Sequence, residues 1–98
     1  MDVRVCVPAQ LRDLVGGNAV LQLSVGDAAD EATTVTSVLD ALAAEHPALE
    51  RRVRDEQGRT RRHVNLFVGA ENMRDLDGPS TAIHPGQDLS IIPAVSGG

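Results

Sequence analysis

Residues 34–47 read TVTSVLDALAAEHP, and here the period of the chain changes. Val35, Val38, Leu39 and Leu42 recur at helical spacing, which makes one face of the segment apolar. Thr34 precedes them as an N-cap and Pro47 follows as a stop. On both sides the period is two instead. VRVCV (3–7) puts Val3, Val5 and Val7 on one face and Arg4 and Cys6 on the other. AVLQLSV (19–25) alternates again through Leu21, Leu23 and Val25. PAQLRDLVGG (8–17) reads as the turn between them, broken by Gly16-Gly17, so the opening predicts a β-hairpin.

Beyond Pro47, ALERRVRDEQG (48–58) is a short amphipathic turn with Leu49 and Val53 inward. HVNLFVG (63–69) is a strand with Val64, Leu66 and Val68 on one face and Asn65 and Phe67 on the other. AENMRDLDGPSTAIHPGQ (70–87) is turn-rich connecting chain with room for one short strand, and Pro85-Gly86 announces the last. DLSIIPAV (88–95) is that strand, with Leu89 and Ile91 inward and Ile92 outward. No internal repeat or second domain is visible. A helix that follows a hairpin lets a later strand return beside the first through a crossover, in parallel. These elements predict an α+β fold of the β-grasp (ubiquitin-like) type. Four to five strands form a mixed sheet on one main helix, with a domain over residues 1–93 and a flexible, extended tail over 94–98.

Composition narrows the function. Of 98 residues, 42% are hydrophobic and 23% charged, as in a globular domain. Phe67 is the single aromatic, too few rings for a surface on which bases stack, and a net charge of −5 argues against nucleic acid and anionic membranes. The nine Lys and Arg residues are all Arg. A coding bias would account for that; the functional reading is that no side-chain amine is offered to an activated carboxyl terminus. RRVRDEQGRTRRH (51–63) holds six of the arginines; it reads as a solvated turn, or else as a patch that steers the chain onto acidic partners. Cys6 stands alone without a neighbouring base, so it reads as structural and fits a reducing cytoplasm. His46, His63 and His84 form no metal-ligand pattern. No signal-peptide pattern, membrane-length apolar run, GxSxG, P-loop or GxGxxG motif occurs.

The chain closes on IIPAVSGG (91–98). Glycine is the poorest residue for fixing a conformation, so Gly97-Gly98 contributes little to a fold. Either this end is a remnant, or its lack of side chains is the point. From Ala94 to Gly98 the chain extends at most ~17 Å, enough to enter another protein's active site while the domain docks outside. Ser96 and Ala94 are small as well, and Val95 completes the arm. Phe67 and Ile92 then form a candidate apolar docking surface beside it.

The TV..VL..L helix (34–42) and a last strand running into Gly97-Gly98 resemble the ubiquitin-like sulfur carriers, the family of the molybdopterin synthase small subunit and the thiamine-pathway carrier. HVNLFVGAENMR (63–74) with TAI.PGQDLSIIPAVSGG (81–98) is similar, within that family, to the actinobacterial carriers for cysteine biosynthesis. The resemblance implies that an E1-like adenylyltransferase activates the Gly98 carboxylate with ATP and Mg²⁺. A sulfur nucleophile then displaces AMP to leave a thiocarboxylate. It implies a sulfur-accepting synthase as second partner: cysteine synthase-like, or molybdopterin synthase large subunit-like, or thiazole/thiosugar synthase-like. In the cysteine case a metalloprotease releases the product. No cofactor is expected on the chain itself, which would be cytoplasmic and monomeric when free. Two other classes stay open, a ubiquitin-like modifier forming isopeptide bonds through Gly98 and a β-grasp binding module.

Overall fold

In a computed structural model of the chain, residues 1–25 and 33–93 are described. The opening alternation forms β1 (Asp2–Cys6) and β2 (Val20–Ser24), paired antiparallel with Val3 opposite Leu23 and Val5 opposite Leu21. The connection is more structured than the turn expected of it. Ala9–Val15 winds into a 3-10 helix that buries Val15, and the Arg12 Nε donates to the Val7 carbonyl at 3.1 Å. Gly16, in the left-handed region at φ 67°, ends it as a residue without Cβ can.

The helical period of 34–47 becomes α1 (Val35–Glu45), with Val35, Val38, Leu39 and Leu42 all buried. Thr34 caps it reciprocally. Its Oγ1 accepts from the Ser37 amide at 3.2 Å, while the Thr34 amide donates to the Ser37 Oγ at 2.8 Å. Pro47 is a start as well as a stop. It occupies the first turn of α2 (Pro47–Val53), where a missing N–H costs nothing, and α2 buries Leu49 and Val53 as the amphipathic reading required. Arg54 fastens the two helices. Its Nε donates to Glu50 at 2.7 Å and its Nη1 to Asp40 on α1 at 3.0 Å. Burial works against the Arg54 charge, but those two carboxylates outweigh it and hold the guanidinium more firmly protonated than usual.

The later strands are β3 (Val64–Val68), the two-residue β4 (Glu71–Asn72) and β5 (Leu89–Pro93). They complete a five-stranded mixed sheet in the order β2-β1-β5-β3-β4. β5 pairs parallel to β1 through Val5–Leu89 and Cys6–Ser90, and antiparallel to β3 from Val64–Pro93 to Val68–Leu89. The predicted return of the last strand beside the first is therefore present. Residues 70–87 are more than a connector, because Met73, Thr81 and Ile83 are buried in them. The Val35 amide donates to the Thr81 carbonyl at 3.1 Å and the Ile83 amide to Thr33 at 2.7 Å, which ties this segment to the start of α1.

Two outcomes test these contacts. Arg54→Ala should lower stability by about 1–3 kcal/mol, because charge-assisted bonds to two carboxylates are lost; urea unfolding reads it, and an unchanged midpoint would refute the fastening. Asp55 accepts from the Arg59 and Gln57 amides, both at 2.9 Å. The Arg59 amide chiefly, with Gln57 and nearby arginine charge, outweighs desolvation and lowers its pKa. A depressed folded pKa means the turn is fully supported above the ordinary aspartate range and loses support as pH falls through the lowered value. Amide exchange at Gln57 and Arg59 should follow that midpoint and lose it in Asp55→Asn; a midpoint at the ordinary aspartate value would contradict it.

Candidate functional site

Alternation sends every second residue of the sheet away from the helices, and the registers bring four of these into one row. Val20 lies opposite Cys6, Cys6 opposite Ser90 and Ser90 opposite Phe67, crossing β2, β1, β5 and β3. Ile92 is the next outward residue of β5, opposite Asn65. Ile92 is 45% exposed and Val20 42%, while Phe67 and Cys6 are half-buried. The outward orientation expected of Phe67 and Ile92 is thus what the register gives. Cys6 and Val20 join them, and the sequence signal for both was available in the alternation of β1 and β2.

A groove of about 450 Å³ runs along this face, walled by Cys6, Val7, Pro8, Gln10 and Ser90 to Pro93. Its end at Pro93 is where the chain passes on to Ala94, Val95, Ser96, Gly97 and Gly98, which lie outside the described residues. A larger hollow of about 620 Å³ sits beyond α2 among Glu50, Arg51, Arg54, Asp55 and Arg61. It is charged, and its Arg54 is already committed to Glu50 and Asp40.

The pairing of Val64 with Pro93 also brings the arginine-rich segment to this corner. Arg61, Arg62 and His63 lead directly into Val64, and Arg51, Arg52 and Arg62 are exposed. Arg74 fixes this approach. Its Nη2 donates to the carbonyls of Arg61, Arg62 and Val64 at 3.2, 3.3 and 3.0 Å, and its Nη1 to the Asn65 Oδ1 at 3.2 Å. Nothing in the spacing of the sequence singled out Arg74. The four acceptors lie 9 to 13 residues away and meet only once β3 is in place. Among the described residues no three His, Cys, Asp or Glu side chains gather as metal ligands, and no helix is long and apolar enough to cross a membrane.

The described residues thus present a half-apolar open face and a basic corner beside the point where the chain passes on to its Gly-Gly end. Comparison with known proteins gives the chain a lineage. The family model described as the ThiS family matches residues 5–98. The sulfur carrier protein CysO of Mycobacterium tuberculosis is 36% identical over 100 residues, covering 100% of both chains. The small archaeal modifier protein 3 of Haloferax volcanii is 36% identical over 90 residues, covering 92% of this chain and 91% of the relative. A chain in the crystal structure of the Amycolatopsis orientalis BexX/CysO complex superposes with a TM-score of 0.81 at 29% identity, over 98% of this chain and 99% of that one. With its five-stranded β-grasp sheet, the chain belongs to the ThiS family of ubiquitin-like sulfur carriers.

Proposed function

We propose that this protein carries sulfur as a thiocarboxylate on Gly98. The observation that carries the reading is that the family match continues through residue 98, so the Gly-Gly end belongs to the shared pattern. A free α-carboxyl group has a pKa of about 3.3–3.7 and is ionised at neutral pH, which makes it a poor electrophile. ATP, used with Mg²⁺ by an E1-like partner, converts it to an acyl adenylate. Sulfide attacks the carbonyl carbon, the C–S bond forms, and AMP leaves with the C–O bonding pair; a persulfide donor gives an acyl disulfide first, and a second thiol of the sulfur donor cleaves its S–S bond, forming a disulfide and freeing the thiocarboxylate. Gly97 and Gly98 leave that carbon unobstructed, and Ala94, Val95 and Ser96 supply the reach. The chain supplies no catalytic group of its own; it is consumed and regenerated.

Cysteine formation is the delivery route we favour, supported by the end-to-end likeness to a CysO sulfur carrier. There the thiocarboxylate sulfur would attack an activated serine derivative on a cysteine synthase-like partner, and a metalloprotease would free the product. The same arm would fit molybdopterin or thiazole/thiosugar synthases. A modifier role, with Gly98 joined to target lysines, is the second reading, and the likeness to small archaeal modifier protein 3 favours it.

In this reading partners rest on the outer row, with Ile92 beside its Ser90, Phe67 at its β3 end, and Cys6 and Val20 continuing it across β1 and β2. The arginines at the Pro93 corner draw acidic partner surfaces toward it.

Two measurements test the reading. Incubation with an activating enzyme, ATP and sulfide should exchange one oxygen for sulfur in the intact mass, and deletion of Gly97-Gly98 should abolish the gain. A ladder of protein conjugates instead would favour the modifier, and no change with a competent enzyme would refute both. Ile92→Glu should weaken partner binding about tenfold or more, since it sets a charge in a desolvated contact at roughly 1.4 kcal/mol per decade. Its circular dichroism should be unaltered because Ile92 is exposed. Undiminished affinity would remove this face from the interface.

A further inference from the structure

An activated acyl group reacts with whatever nucleophile reaches it, and this chain is short of them. All nine of its cationic side chains are arginines. A guanidinium keeps its proton and offers no free amine, whereas a lysine ammonium gives up its proton readily enough to act as a nucleophile. That leaves one primary amine in the 98 residues, at Met1. It donates to the Val25 carbonyl at 3.1 Å, and the Met1 side chain packs against the core, so the amine is held to the fold rather than offered on a loose arm.

The topology also sets that amine far from the Gly98 arm. Parallel pairing of Val5 with Leu89 aligns β1 and β5 in direction, so Met1 and Pro93 mark opposite ends of the pair. Roughly eight strand steps separate them, about 26 Å at ~3.3 Å per residue. Residues 94–98 span at most ~17 Å. The terminal carbonyl falls short of its own chain's amine.

We infer that this protein, once activated, is an acyl donor with no amine acceptor on itself: it neither cyclises through an amide nor builds amide-linked chains of its own copies, and any amine it modifies on another protein receives a single unit. The inference rests on activation of Gly98 as proposed above. An amine acceptor attacks the acyl carbon, forms the C–N bond, expels AMP and releases a proton to solvent. With the one amine of a sister copy, at Met1, held to the Val25 carbonyl, the adenylate is left to sulfur nucleophiles, to amines of other proteins, or to water.

The test omits sulfide and supplies the activating enzyme and ATP, with the wild-type chain at high concentration and intact mass as readout. A parallel reaction with hydroxylamine reports activation as a terminal hydroxamate. Ala44→Lys supplies an acceptor at an exposed site near the end of α1, where a lysine suits both helix propensity and the helix dipole. The expected result is hydroxamate from the wild type without multimers or a cyclic product, and multimers of the chain mass from Ala44→Lys. Wild-type multimers or loss of one water beside the hydroxamate would overturn the inference and leave the carrier reading standing. An Ala44→Lys chain as inert as the wild type would also overturn it, since amine supply would not be limiting. No hydroxamate, from an enzyme competent on another carrier, would overturn the carrier reading and this inference with it.

Discussion

Two residue pairs, Val5–Leu89 and Cys6–Ser90, join the opening hairpin to the rest of the sheet. Among the described residues, every other strand pairing lies within β1–β2 or within β3–β4–β5. This short parallel seam turns two small antiparallel units into one surface that α1 can cover. Val5 and Leu89 on its inner side are both fully buried, in one core with Val35, Val38, Leu39 and Leu42 of α1, so apolar burial holds the seam where hydrogen bonds alone would be few. The same pairing sets Cys6 beside Ser90 on the outer side and so assembles the exposed row.

Core and row are therefore two readings of one alternation. A shift of β5 by one residue would expose Leu89 and Ile91 and bury Ile92. Since Leu89 and Ile91 interlock with Val5, Leu66 and Val68 inside, the inner face fixes the register, and the outer residues take their places as a consequence. The arginine corner depends on a different device. Arg74 serves the carbonyls of Arg61 and Arg62 ahead of β3 and of Val64 at its start with one guanidinium, a geometry a lysine ammonium would reproduce poorly.

Much of this is legible in the sequence alone. Periods of two and 3.6 identified β1, β2, β3, β5 and α1, because each has one buried face and the side chains record it. The outward placement of Phe67 and Ile92 followed from the same count. What the sequence concealed depends on contacts made across long separations or by single residues. Pro47 reads as a helix stop, and its second role needed Leu49 and Val53 to find a core. Met73, Thr81 and Ile83 sit in turn-rich chain without a period, so burial there left no pattern. Arg74 looks like any exposed arginine until its acceptors converge.

The seam between β1 and β5 has a bearing on when the protein becomes usable. It closes a loop of more than eighty residues, among the slowest kinds of contact for a chain of this size to make. Among the described elements β5 is the last in chain order. A chain that stops before residue 89 lacks the strand that carries Ser90 and Ile92. The outer row is thus complete only in molecules that have acquired this strand, and the docking proposed above would at the same time select chains that extend to Pro93, where the tail begins.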